Sequence, residues 1–347
     1  MIRELLRIGR VLGWGQLMRI NRARRLGGDT LIRGYFATPT LIALLNVGFF
    51  DALAGEREVD IKAFAKEQGL EPAVLQALCD YLYAMQVLDR NGRGYKLARN
   101  GRLLVDMVSG SLYSAGAYAP VFCNLEDMLR GTKRYGEDVR RDPALAARGS
   151  GDAGKLFMFP MVSDLLHKRG ITGVLDLGCG DAAFLIGLCK ANPAITAYGI
   201  DISPEAIEDG KRNAATAGLQ DRIHLYAEDM FKLQSIAGEL DGVGAATSFF
   251  VMHEFLACGD ERILDFFKSY REALPGVPLI VCESARHTPE QLRKRPGPLM
   301  DFQLVHDLSG QRPVSREEWR AIFGKAGFTS IGEDYFRLGR MVIFTVS

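Results

Sequence analysis

The chain has 347 residues, 48% of them hydrophobic and 24% charged, ordinary values for a globular protein that exclude disorder, collagen and coiled coil. Lys+Arg is 43 against 42 Asp+Glu, a net charge of +1, so no global field draws the chain to nucleic acid. Six cysteines, Cys79, Cys123, Cys179, Cys189, Cys258 and Cys282, form no CxxC pair; this excludes a disulfide scaffold and a thiolate zinc site, and fits a reducing cytoplasm.

The length suggests two domains, each with its own core. Residues 1–25 lack the uninterrupted apolar stretch of a signal peptide or membrane span. They carry Arg3, Arg7, Arg10, Arg19, Arg22, Arg24 and Arg25 against Glu4, interleaved with Leu5, Leu6, Ile8, Val11, Leu12 and Leu17. A basic amphipathic helix can lie on a membrane. The weak pattern favours a terminal helix packed on the body or on a second subunit, without stable membrane association.

Residues 40–53 read as an apolar-rich helix. Two more helices follow at 61–68 and 71–85, parted by Gly69-Leu70, with Pro72 near the second start. Residues 87–97 read as a hairpin turning at Asn91-Gly92. Helix, turn, helix and hairpin make a winged-helix-like pattern. The helix at 72–82 has no Arg or Lys to reach base edges or phosphates. Arg90, Arg93 and Lys96 on the wing are common surface charges, so the module is expected to be structural or dimerising. Residues 148–152, Arg-Gly-Ser-Gly-Asp, read as a hinge, and 155–168 as a helix entering the next domain. The expected domains are therefore 1–150, helical and winged-helix-like, and 151–347.

Beyond Gly170 short apolar strands alternate with helices. Strands are expected at 174–177, 197–201, 223–227, 244–250 and 279–282, and helices at 183–191, 204–217 and 261–274. This is the α/β pattern of a parallel sheet with helices on both faces. Such a sheet binds its ligand at the carboxyl ends of the strands.

The strongest local signal is Val174-Leu175-Asp176-Leu177-Gly178-Cys179-Gly180-Asp181. Two glycines directly after a strand allow a tight turn and close approach to a ligand. Asp201, at the end of the next strand, can accept both hydroxyls of a ribose. Ala183 stands where a third glycine would be, which argues against a pyrophosphate site. From Val174 to about Phe250 the run resembles the S-adenosylmethionine-binding region of class I methyltransferases. The resemblance implies that Asp176, Gly178 and Gly180 line the methionine end of the cofactor. It places Asp201 and Ile202 at the ribose, and Asp229 and Met230 of Glu228-Asp229-Met230 at the adenine. The whole chain resembles the larger two-domain methyltransferases, whose helical N-terminal domain dimerises and roofs the site; a homodimer is the implied assembly.

For the acceptor, the informative segment is Ser248-Phe249-Phe250-Val251-Met252-His253-Glu254, which follows a strand. In two-domain O-methyltransferases a His here, followed by Asp-Trp, is the general base; this chain has Glu254-Phe255. Of the other histidines, His167 and His224 read as ordinary surface positions and His287 as part of a polar loop. His306 lies on a helix at 299–307, and Glu283 ends a strand. His253, Glu283 and His306 form a set suited to Fe or Zn with positions open for substrate. Their order resembles that of the bacterial α-keto acid C-methyltransferases, some of which hold a metal. The resemblance implies Lewis-acid stabilisation of an enolate oxygen, then attack of the β-carbon on the methyl group. Glu254 or a metal-bound hydroxide would take the β-proton. The expected activity is thus small-molecule methylation of a kind found in secondary metabolism. The alternatives are metal-free O-methylation with His253 as base and, outside enzymes, a winged-helix regulator sensing a nucleoside-like ligand. Electroneutrality and the uncharged helix count against the regulator.

Overall fold

The computed structural model describes residues 2–92, 94–257, 259–337 and 340–347. Of the residues singled out above, Arg93 and Cys258 lie outside the described residues, as do the side chains of Arg3 and Leu5. The chain forms two compact units that part between Gly116 and Ala117.

The first unit opens with helices Ile2–Leu12, Trp14–Arg25 and Gly28–Asn46. Gly48, at φ 71°, breaks the expected helix at 40–53, and the chain resumes as Phe49–Ala52. Helix Ile61–Gln68 is capped by Asp60 and stopped by Gly69 in the left-handed region. Helix Pro72–Ala84 follows, with Pro72 at its first turn where no amide donor is missed. Strands β2 (Leu88–Asn91) and β3 (Gly94–Leu97) form the expected hairpin, and β1 (Val59–Asp60) adds to the free edge of β3. Leu44, Phe49, Phe64, Leu75, Leu82 and Tyr95 are buried inside. Leu31, Ile32, Tyr35 and Phe36 instead project into solvent from helix Gly28–Asn46.

The second unit is built on a seven-stranded sheet. Its parallel strands are β4 (Gly173–Leu177), β5 (Thr196–Asp201), β6 (Ile223–Ala227), β7 (Ala245–Phe249) and β8 (Leu279–Ser284). Two further strands, β9 (Ile331–Phe336) and β10 (Met341–Val346), complete the order β6-β5-β4-β7-β8-β10-β9. Strand β10 runs antiparallel to both neighbours. One apolar layer holds Leu177, Met252, Phe266, Phe267, Trp319 and Phe344; the other holds Val162, Phe184, Leu188, Ile280 and Ile343. Burying such side chains contributes about 1.5–3 kcal/mol each. Between β5-β6 and β7-β8 the strand order reverses at β4, so the carboxyl ends of β4, β5 and β7 open a crevice.

The expected hinge at 148–152 is helical. It lies inside Pro143–Leu156, whose start is capped by the Asp142 carboxylate accepting from Leu145 N at 3.0 Å. The chain breaks at Phe157 instead, before helix Met158–Lys168. Glycines misled the sequence argument: at Gly154 a Cβ would meet the Phe159 ring at 2.6 Å, so that glycine serves close packing rather than flexibility. Residues 117–150, grouped by sequence with the first domain, belong to the second unit, where Ala117, Tyr118, Val121 and Val139 pack with Val305 and Leu308. No helix among the described residues is long and apolar enough to cross a membrane.

Gly151 sits within this helix with nothing near its missing Cβ. Gly151→Ala is expected to stabilise the protein by roughly 0.5–1 kcal/mol, the helical cost of glycine relative to alanine. The urea midpoint measures it; a hinge would show no gain.

Candidate active site

Strand β4 is buried along its length and runs into Gly178, at φ 78°, and Gly180, at φ 53°. A side chain at Gly178 would place its Cβ 2.8 Å from Val251 Cγ2. The amides of Gly178 and Cys179 donate to Ile200 O at 2.8 and 3.1 Å. The Asp201 carboxylate accepts from Gly180 N and Ser203 N, both at 2.9 Å. Asp201 thus stitches the glycine turn to the end of β5. Beside it Ile202 is 74% exposed, an apolar side chain held open next to an acid. Asp229 caps the short turn Met230–Ser235 by accepting from Phe231 N at 3.0 Å, and Met230 is half-buried. Apart from Asp176, the residues expected at the methionine, ribose and adenine therefore all lie at or just beyond the carboxyl ends of β4, β5 and β6, on one sheet edge.

Asp176 lies deeper, inside β4, where Thr247 Oγ1 donates to it at 2.7 Å. Burial pushes its carboxyl up to about 7; the charge of Asp201 adds to this and the Thr247 hydrogen bond opposes it.

After β7, Phe250 adopts φ 57°, an uncommon backbone for a bulky residue. Its amide donates to Cys282 O at 2.9 Å, turning the chain back over β8. The short turn Met252–Leu256 then presents His253 to Glu283 at the end of β8. His253 N donates to Glu283 Oε1 at 3.1 Å, and His253 Nδ1 lies 2.8 Å from Glu283 Oε2. His253 Nε2 faces His306 Nε2 at 3.1 Å, while His306 Nδ1 lies 2.6 Å from Phe302 O. All three side chains are buried.

The network fixes the protons. Phe302 O can only accept, so His306 Nδ1 carries a hydrogen. Burial and the charge of His253 push the pKa of His306 down to about 3. His306 is neutral, then, and its Nε2 accepts. His253 must donate from Nε2, and its Nδ1 faces a carboxylate. Burial lowers its pKa, but Glu283, through charge and hydrogen bond, and Glu254 outweigh this and hold it above the ordinary value. His253 is therefore held toward its protonated form, between a carboxylate and a neutral imidazole.

The three residues expected as metal ligands do come together, but not as one coordination sphere. Glu283 is on the Nδ1 side of the His253 ring, opposite His306, with its oxygens taken by the His253 ring and backbone. Among the described residues no group of three or more His, Cys, Asp or Glu is arranged to hold a metal. Only the two Nε2 atoms converge, each on a ring whose other nitrogen is anchored, as ligating imidazoles are.

Beside this cluster lies a group that sequence reasoning does not single out. Arg141 donates to Glu254 Oε1 at 2.7 Å, Tyr118 Oη at 3.0 Å and Gln311 Oε1 at 3.3 Å. Glu254, expected as a catalytic acid or base, is thus engaged with an arginine. A separate cavity of about 690 Å³ is lined by Arg286, His287, Gln303 and Asp307; Arg286 and Asp307 are paired with each other there.

Residues 169–266 match the family described as Methyltransferase domain. Fold, cofactor edge and match together define the class: the chain is an S-adenosylmethionine-dependent small-molecule methyltransferase with the class I fold. It is similar to the 2-ketoarginine methyltransferase of Streptomyces arginensis, 28% identical over 317 residues, 85% of this chain and 86% of that protein. It is also similar to methyltransferase ungE' of Aspergillus campestris, 26% identical over 307 residues, 83% of this chain and 87% of that protein. Its fold is shared by the mitomycin 7-O-methyltransferase MmcR, at 16% identity and TM-score 0.63 over 95% of this chain and 99% of that one. Human N-acetylserotonin methyltransferase has it too, at 19% identity and TM-score 0.62 over 93% and 97%.

Because Asp176 holds its proton more tightly folded than unfolded, its contribution to stability is full below about pH 4. It declines as pH rises and is gone above about 7. Asp176→Asn removes this dependence and leaves a group that can still accept from Thr247. Ligand-free variant and wild type should melt together near pH 4, with the variant higher at pH 8; for a unit this size each 1 kcal/mol is about 2–4 °C. Parallel melting curves would contradict the assignment.

Proposed function

We propose that the enzyme methylates the β-carbon of an α-keto acid. The observation that carries this reading is His306 Nε2, 3.1 Å from His253 Nε2. A hydroxyl-methylating site needs an open lone pair on the base histidine to receive the hydroxyl proton. Here that nitrogen is directed at a second imidazole. A buried histidine held toward its charged form by Glu283, with Arg141 nearby, is instead suited to an acceptor that becomes an anion, as an enolate does. The similarity to a 2-ketoarginine methyltransferase supports the same class.

In this mechanism His253 Nε2 gives up its contact with His306 to donate to the enolate oxygen, while Glu283 holds the ring in place. The β C–H bond breaks and its proton passes to Glu254, whose half-exposed carboxylate can return it to solvent. The β-carbon attacks the methyl group, the methyl–sulfur bond breaks, and S-adenosylhomocysteine leaves. Iron or zinc, where bound, would be held by His253 Nε2 and His306 Nε2, with Glu283 orienting His253, and would supply Lewis-acid polarisation of the keto oxygen.

A panel of α-keto acids and phenols, with products identified by NMR, tests the reading. A β-methylated keto acid is the expected product. His253→Ala should lower kcat on the order of 10²–10³-fold, the range for loss of an anion-stabilising donor, and His306→Ala about 10–100-fold, as a group that orients His253. Glu283→Gln should cost about 10–100-fold, as an orienting group does. Methylation of a phenolic hydroxyl by a fully active His306→Ala enzyme would overturn it in favour of O-methylation with His253 as base.

We also propose a homodimer formed through the first unit, since Leu31, Ile32, Tyr35 and Phe36 lie exposed on one helix. Light scattering should report a dimer at micromolar concentration, and Leu31→Glu with Ile32→Glu should shift it to monomer. A wild-type monomer would refute this.

A further inference from the structure

Arg141 differs from Arg222, another arginine drawn into this unit. Arg222 donates to the main-chain carbonyls of Cys189, Asn192 and Ile195, three neutral acceptors that fasten neighbouring turns. That is a structural clasp. The partners of Arg141 are all side chains, and they come from three separate segments that meet beside the histidines. Glu254 follows His253 directly, Tyr118 has its ring 6.4 Å from that of His306, and Gln311 lies just beyond the helix Pro298–Leu308. The guanidinium is mostly enclosed, its side chain 21% exposed against 41% for Glu254. Its charge acts on both His253 and His306.

A guanidinium presents five N–H donors in a planar fork. Tyr118 and Gln311 occupy Nη1 and Glu254 takes one hydrogen of Nη2, so the fork keeps donors for a further acceptor. Its ion-pair partner is the more exposed member and can yield an edge. An α-keto acid carries its carboxylate on the carbon next to the ketone. With the keto oxygen at the His253 cluster, that carboxylate falls toward the neighbouring cation.

We propose that Arg141 recognises the carboxylate of the acceptor and so sets the enzyme's preference for an acid over the corresponding ester. The inference rests on the α-keto acid reading above. Arginine suits the task because it can meet a carboxylate with two parallel hydrogen bonds.

The test compares 2-ketoarginine and phenylpyruvate with their methyl esters, in turnover and in calorimetric binding to the enzyme loaded with S-adenosylhomocysteine. Wild type should favour the acids. Arg141→Ala should raise KM for the acids roughly 10–100-fold, the range for a lost hydrogen bond to a charged group. KM and affinity for the esters should change little even where kcat falls, with unchanged affinity for S-adenosylhomocysteine. Arg141→Lys should fall between. Glu254→Gln should lose turnover but keep the acid-over-ester preference in calorimetric binding; loss of that binding preference to the same degree as in Arg141→Ala would reduce Arg141 to a structural partner of Glu254 and overturn the inference. An Arg141→Ala enzyme that still prefers the acids overturns this inference alone. A wild type that accepts no keto acid, or treats acid and ester alike, overturns the substrate class and the inference with it.

Discussion

The carboxylate of Glu283 has no access to solvent, and nearly everything distinctive about the site follows from how its charge is met. A buried carboxylate left unpaired costs several kcal/mol. Its answer is a single residue, His253, which supplies both its backbone amide and its ring nitrogen. That requirement fixes where the segment after β7 must lie, and it accounts for the left-handed backbone at Phe250, which reverses the chain in time. With Nδ1 committed to Glu283, only Nε2 of His253 is left to face outward. With Nδ1 of His306 committed to Phe302 O, the same is true of its neighbour. Two imidazoles are thereby aimed at each other with no rotational choice remaining, the pre-organisation a site needs before it meets a charge.

On the proposed reading, cofactor and acceptor machinery divide along the sheet. The cofactor edge is mostly backbone: glycines at positive φ, amides turned to Ile200 O, and Asp201 bridging two loops. It comes from β4 to β6 and their first turns. The acceptor side is made of side chains from β7, β8, the helix Pro298–Leu308 and residues 118–141. The first part can be common to many enzymes while the second varies, because a backbone cradle is insensitive to what lies across the crevice.

This division also decides what could be read in advance. The glycine turn at Gly178 and Gly180 and the strand-end acid Asp201 were legible as structure because they are local features, visible within one stretch of chain. His253, Glu283 and His306 were legible as chemistry but not as geometry: residue types can suggest ligands, yet only packing shows that Glu283 and His306 lie on opposite sides of one ring. Arg141 was not legible at all. In Arg-Gly-Thr-Lys-Arg-Tyr-Gly-Glu-Asp-Val-Arg-Arg-Asp it looks like any solvated charge, and its meaning depends on Glu254 and Gln311, far along the sequence. The supposed hinge failed for a related reason. Gly149 and Gly151 suggest a loop locally, but the cap at Asp142 and the packing of Gly154 against Phe159 are strong enough to keep the segment helical. Strands β9 and β10 escaped notice because the alternating βα rhythm ends at β8, and an antiparallel hairpin does not announce its place in a parallel sheet.

The position of β10 has a consequence for how the molecule is made. Strand β8 carries Glu283, and one whole edge of β8 waits for residues 341–346, which reach it in reverse direction after three helices and a strand have been synthesised. Until those residues emerge from the ribosome, a strand that is buried along its whole length in the finished fold stands with an open row of amides and carbonyls, the situation most prone to wrong pairing. The catalytic edge is therefore among the last parts of the unit to be secured during translation. Folding from the cofactor side inward would give a nascent chain with its nucleoside cradle formed well before it has the means to do chemistry.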